Sequence, residues 1–163
     1  MQKIFFLALV LFLAFVSCKK DSSSTSSGSI SATVNDTSAT FNNSALAINT
    51  TANGVYGISI TGFADNSNQI SINISGPNPV TTGTYSFSTR GTGDQLSMGY
   101  SIPPNITYIQ DSTSTANYAT VVITAISSTS VQGTFTGDLK LFSGTSVVKT
   151  KSVTNGTFNV KFP

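Results

Sequence analysis

The feature that most constrains the fold of this chain is an alternation of apolar and polar residues that recurs from residue 30 onward. Every second residue is apolar in runs such as 30–34, 56–60 and 70–74. This is the period of a β-strand with one buried face. A further run, 119–126, is apolar on both faces, which predicts a strand covered on both sides. No segment of this region has a convincing helical period, so we expect an all-β domain.

Clusters of Gly, Pro, Asn, Asp and Ser interrupt these runs at short intervals, and such clusters are typical of turns. They lie at 36–38, 53–54, 65–68, 76–83, 91–94, 103–104, 111–115, 127–130 and 143–145. The spacing predicts about eight to ten short strands. Many short strands joined by polar turns favour an antiparallel β-sandwich, with a flattened β-barrel as the alternative.

Three Gly-Thr-aromatic triplets recur within the predicted strands, and they begin at Gly83, Gly133 and Gly156. Their unequal spacing is not that of a repeat protein. We expect each glycine to permit a close approach of the backbone while the aromatic residue fills the core beside it.

The first residues have the pattern of a cleaved secretory signal. Lys3 precedes an apolar run at 4–16, which is too short for a membrane-spanning helix, and the small residue Ser17 stands before Cys18. Residues 15–18 resemble a bacterial lipobox, in which the cysteine thiol receives a diacylglycerol group. Cys18 is the single cysteine of the chain, so an internal disulfide is excluded. We therefore predict a signal peptide at 1–17, with Cys18 as the lipid attachment site.

Residues 18–29 are rich in serine and predict a flexible tether, which leaves 30–163 as one folded domain. A tether of this length spans about 18 Å on average. Lys20 and Asp21 resemble part of the signal that directs some Bacteroidota lipoproteins to the cell surface. The predicted location is the outer membrane, through the lipid anchor, with the cell surface and the periplasmic face both open.

Composition excludes much chemistry. The chain contains no His, Trp or Glu, so the commonest general base and metal ligand are missing. Basic and acidic residues balance within 30–163, which argues against a nucleic acid partner. From the sequence we expect neither an enzyme nor a bound metal or cofactor.

Three tyrosines, Tyr100, Tyr108 and Tyr118, lie between the central turns and are candidates for contact with a ligand, either a glycan or an envelope protein. Ser112 follows Asp111 in a pattern that resembles Bacteroidota O-glycosylation sites, and it is a candidate for that modification.

Several of these landmarks together are similar to a Bacteroidota lipoprotein family, the domain of unknown function numbered 6252. They are the lipobox, the serine-rich tether, the opening strand at 30–35, the triplet at 83–85 and the closing segment at 153–162. Phe41 stands where members of that family often carry Trp. The resemblance implies a β-rich, lipid-anchored protein without an assigned activity.

The expectation for function is therefore a lipid-anchored envelope lipoprotein that serves as a non-catalytic binding or assembly module. Two alternatives stay open: a glycan-processing accessory protein or hydrolase, and a structural subunit that packs against another envelope protein through an unpaired sheet edge.

Overall fold

The computed structural model describes residues 28–86, 93–111 and 119–163, and every regular element in them is a β-strand. These residues form one antiparallel sheet of eleven strands. The strands are β1 Ser29–Val34, β2 Thr37–Thr40, β3 Asn43–Ala52, β4 Val55–Phe63, β5 Gln69–Gly76, β6 Gly83–Ser86, β7 Gln95–Ile102, β8 Ile106–Gln110, β9 Ala119–Ile126, β10 Ser130–Ser143 and β11 Ser146–Lys161.

The sheet curls strongly into a half-barrel, so that its parts face one another across a shared core. The strand order is β2-β1-β11-β10-β8-β7-β5-β4-β3, while β9 pairs with β10 and with β6. The sandwich-like, all-β antiparallel fold expected from the sequence is confirmed.

Residues 40–45 bring the two ends of this strand order together. The Phe41 N–H donates to the Ile30 carbonyl, and the Gly28 N–H donates to the carbonyl of Ala45, which belongs to β3. One run of chain therefore pairs first with β1 and then with β4. We call this junction between the edges of the curled sheet the seam.

The core is built by the alternation that the sequence predicts. Along most strands buried residues alternate with more exposed ones, although β2 has no buried residue and the alternation in β11 changes parity between Val153 and Gly156. The largest fully buried side chains are Phe41, Phe135, Ile30, Ile60, Ile70, Ile72, Ile74, Met98, Ile123, Leu139, Val121 and Val131. In β9 the pattern ends early: Val121 and Ile123 are buried but Ala125 is exposed. The pairing with β10 shifts register between Gln132 and Gly133, and this irregularity turns Ala125 outward.

The folded region begins slightly earlier than the sequence pattern suggests. Gly28 and Ser29, which the pattern places in the tether, belong to the fold: β1 starts at Ser29, and Gly28 is buried. A Cβ at Gly28 would lie 2.6 Å from Cγ1 of Val160, so the absence of a side chain is what permits this packing.

On the side of β10 that does not pair with β11, the partner strand changes along the length of β10. β9 pairs with residues 131–137, whereas β8 pairs only with Leu139 and Lys140. The pairing of β7 with β8 ends at Gly99 and Ile109, and beyond it no strand of the described ranges pairs with β7 on that side. The side chain of buried Gln110 takes the strand's place, because its Oε1 accepts from the Met98 N–H and its Nε2 donates to the Leu96 carbonyl.

Candidate functional site

A polar cleft of about 630 Å³ opens where the seam parts at one end of the half-barrel. We call it the seam cleft. Its walls are the β1–β2 hairpin on one side and the turn between β4 and β5 on the other, with side chains from β7 and β11 between them. The lining residues are Val34, Asn35, Thr37, Ser38, Ala39, Thr40, Ala64, Asp65, Asn66, Asn68, Tyr100 and Lys151.

The first wall is a free sheet edge. All four residues of β2 line the cleft, and β2 pairs only with β1. Ile30 and Phe41 form a hydrogen-bonded pair in this antiparallel ladder, and such pairs alternate with non-bonded ones. The backbone groups of Ser38 and Thr40 therefore point away from β1, toward the open side. Within the described part of the chain, two N–H donors and two carbonyl acceptors of β2 are left without a strand partner.

The second wall is a turn closed by its own hydrogen bonds. The Ala64 N–H donates to the Asn68 carbonyl at 2.8 Å, and the Asn68 N–H donates to Oδ1 of Asn66 at 3.1 Å. Asn43 Nδ2 donates to Asp65 Oδ1 at 3.0 Å and ties the turn to the start of β3. The wall thus offers amide and carboxylate groups from a turn whose backbone is largely satisfied.

Tyr100 brings a hydroxyl to the cleft from an otherwise buried ring. Asn68 Nδ2 donates to that hydroxyl at 2.8 Å, and the ring meets Phe41 edge-on with centroids 6.2 Å apart. Burial raises the pKa of Tyr100 above the usual 10.0. The hydrogen bond from Asn68 opposes this effect, and the neighbouring Tyr108 adds slightly to it. The group is a neutral donor and acceptor at ordinary pH.

Lys151 supplies a positive charge to the cleft. Its Nζ lies 5.8 Å from the centroid of the Tyr108 ring, within the range of a cation–π contact. In the ranges that the structure describes, the ion pair is that of Lys140 with Asp111, at 3.0 Å, and it does not involve Lys151. The ammonium group therefore has no carboxylate neighbour there.

The seam cleft lies at the far end of β1 from Gly28. β1 begins at Ser29, next to the buried Gly28, and ends at Val34, and of these three residues only Val34 lines the cleft. Six strand residues span about 20 Å. The chain therefore enters the domain at one end and presents the cleft at the other.

Two of the predicted ligand-contact residues are brought together. Tyr100 and Tyr108 are directly opposed in the β7–β8 pairing, with ring centroids 6.4 Å apart. Their exposed fractions are 6% and 5%, so neither offers an open ring face, and only Tyr100 lines the cleft. Tyr118, Ser112 and Cys18, like the signal peptide, lie outside the described residues.

Sequence reasoning missed Ser38, Thr40, Asn68 and Lys151 as members of one site. β2 consists of three short polar residues and Ala39, which carry no clear apolar alternation, so there was no strand signal in the sequence there. Nothing in the sequence pairs Lys151 with a turn more than eighty positions away.

In comparisons with known proteins, no family model, curated protein or solved structure matched this chain. Within 28–86, 93–111 and 119–163, no group of three potential metal ligands comes together. None of these residues belongs to a helix with the length and apolar character needed to cross a membrane.

Proposed function

We propose that this chain is a lipid-anchored lipoprotein of the outer cell envelope, and that its domain is a non-catalytic binding module that uses the seam cleft. The observation that carries the proposal is the cleft itself, because it combines a backbone edge and an ammonium group that have, among the described residues, no strand partner and no salt bridge respectively. Both features lie in a concave site and offer polar groups that a ligand can bind.

The place of Gly28 in the fold supports this proposal. If lipid holds Cys18 to the bilayer, the tether reaches the domain at Gly28, and the cleft lies at the opposite end. The mouth of the cleft then faces away from the membrane, whether the protein is anchored at the cell surface or at the periplasmic face.

The side chains of the cleft favour binding over catalysis. Of the described residues that line it, Asp65 is the single carboxylate, and it is exposed and bonded to Asn43. A hydrolase of glycosides would need two carboxyl groups placed on either side of a bond.

Lipid attachment is tested with labelled palmitate. We expect the label in the mature chain, and we expect Cys18→Ser to lose both the label and the membrane fractionation. A Cys18→Ser chain that stays in the membrane fraction would contradict the anchor.

Occupancy of the cleft is tested with an introduced thiol, since lipidation leaves the native chain without a free one. Asn66→Cys lies on the cleft wall, and Asn73→Cys, on the exposed face of β5, is its control. We expect maleimide to react several-fold more slowly with Asn66→Cys in isolated envelopes than in purified protein, with no such difference for Asn73→Cys. Equal rates at both sites would count against a ligand in the cleft.

A second role, as a subunit of an envelope complex, is favoured by the end of the β10–β11 hairpin. Val147 and Val148 are 44% and 52% exposed, and β1 does not extend along β11 beyond Ser152. We expect Val148→Asp to release the chain from a larger assembly in native gels of detergent extracts, while Thr124→Asp, an exposed change on β9, leaves its migration unchanged.

A further inference from the structure

We propose that the seam cleft binds an extended polypeptide segment that ends in a free carboxylate and adds as a strand to β2. This inference rests on the proposed binding function and names the chemical class of the ligand. The segment would bond to the edge of β2 along the cleft and place its terminal carboxylate at Lys151.

The backbone edge is the first reason. Ser38 and Thr40 present their N–H and carbonyl groups to the cleft in the alternating arrangement that another strand matches. Peptide recognition by strand addition uses this kind of main-chain bonding at an exposed sheet edge. β2 spans about 13 Å, which fits a segment of about four residues.

The second reason is the close contact between β4 and the β2–β3 run, which closes one end of the cleft. At the inner end of β2 a Cβ on Gly62 would overlap the carbonyl oxygen of Phe41, so β4 and the β2–β3 run touch there. From that contact outward, residues of both walls line the cleft, as far as Asn35 on one wall and Asn66 on the other. The cleft is therefore closed at the inner end of β2, and the edge of β2 lies along one of its walls.

The charge is the third reason. The Lys151 ammonium offers three donors, and a carboxylate satisfies them with charge-assisted hydrogen bonds. Asp65, the acidic residue of the cleft, belongs to the opposite wall and already accepts from Asn43. A ligand with its negative group toward β11 and neutral backbone along β2 matches this distribution.

A saccharide fits the cleft less well. The aromatic rings nearest to it, Phe41, Tyr100 and Tyr108, are all buried, so the described residues give a sugar ring no face on which to stack. The polar side chains would serve either ligand, but the free strand edge specifically suits a polypeptide.

The test uses the full-length chain purified in detergent and a pool of random octapeptides immobilised through their amino termini. The same pool with amidated carboxyl termini, and an oligosaccharide of uronic acids, are the comparison probes. We expect saturable binding of the free-carboxylate pool and at least tenfold weaker binding of the amidated pool.

Two matched pairs of variants locate the contacts. Ser38→Pro removes the free N–H of β2 and keeps the pairing with β1, whereas Ser38→Ala retains that N–H. Lys151→Met removes the charge in the cleft, whereas Lys149→Met removes one on the same strand outside it. We expect roughly tenfold weaker peptide binding for Ser38→Pro and Lys151→Met, a much smaller loss for Ser38→Ala and unchanged binding for Lys149→Met, with thermal unfolding confirming that each variant is folded.

Three results would overturn the inference: no binding of either peptide pool, equal binding of both pools, or equal effects within a matched pair. If the uronic acid oligosaccharide binds and Lys151→Met weakens it while the peptides do not bind, the seam cleft remains a binding site. The polypeptide ligand is then wrong, although the proposed function stands.

Discussion

Gly156 lies directly opposite Phe135 in the pairing of β10 with β11, and the phenyl ring covers its bare backbone. The relationship is reciprocal, because Gly133 lies opposite Phe158 in the same ladder. The two rings are roughly parallel, with centroids 6.4 Å apart. Two of the three Gly-Thr-aromatic triplets are therefore partners in one pair of strands, where each aromatic ring packs over the other's glycine.

We expect Gly156→Ala to lower the free energy of unfolding by about 2–3 kcal/mol, because overpacking of a core forces neighbouring groups to move. The new Cβ would lie 2.5 Å from Cδ2 of Phe135. Chemical denaturation measures the change. Gly93→Ala is the control, since a Cβ there meets nothing within 4 Å, and a similar loss in both variants would contradict the packing argument.

Gln110 is expected to stabilise the fold because its side chain makes two hydrogen bonds to the backbone of β7 that a neighbouring strand would otherwise make. Gln110→Ala leaves the Met98 N–H and the Leu96 carbonyl without their partner at a buried position, which costs about 2–4 kcal/mol for two such groups. Gln132→Ala, on the exposed side of β10, should stay within about 0.5 kcal/mol of the parent. Hydrogen exchange should show faster exchange of the Met98 amide in Gln110→Ala. Unchanged exchange would contradict the idea that the Gln110 side chain makes the hydrogen bonds that a neighbouring strand would make to β7.

Tyr85 forms a small closed unit with the backbone four residues before it. Its hydroxyl donates to the Thr81 carbonyl and accepts from the Thr81 N–H, both at 2.9 Å. A tyrosine that bonds back to an upstream backbone in this way is known from β-sandwich corners. We expect Tyr85→Phe to cost about 1–2 kcal/mol in thermal or chemical unfolding, and Tyr56→Phe, on β4, to cost clearly less.

The pKa of Tyr100 makes stability depend on pH in the alkaline range. The folded pKa lies above the unfolded one, so folding favours the protonated form. The associated stability is fully present below the unfolded value of 10.0 and is lost as the pH rises through the folded value. We expect unfolding free energies of the parent to fall more steeply than those of Tyr100→Phe above about pH 10. Identical slopes would show that Tyr100 does not titrate differently on folding.

Alternation predicted the strands whose buried face is regular. The isoleucines of 70–74 face the core as expected, and so do the apolar positions of 30–34. The turns at Asn53 with Gly54 and at 143–145 also stand where Gly, Asn and Ser predict them. These features are local, because a strand's period and a turn's backbone conformation are set by a few adjacent residues.

The seam cleft could not be predicted in the same way. β2 is a strand only because β1 offers it a partner, and its own residues have weak strand preference apart from two threonines. Lys151 reaches the cleft because β11 continues beyond the end of β1, which is a property of strand lengths and register. Both depend on contacts between distant parts of the chain.

The crossing of residues 40–45 from one sheet margin to the other fixes the geometry of the opening. The position at which the chain leaves β1 and begins to pair with β4 sets the depth of the cleft. Moving this position outward by one pair of residues would close the mouth of the cleft, and moving it inward would make the cleft deeper. A longer or shorter crossover would thus change the size of this opening while the interior of the half-barrel stayed the same.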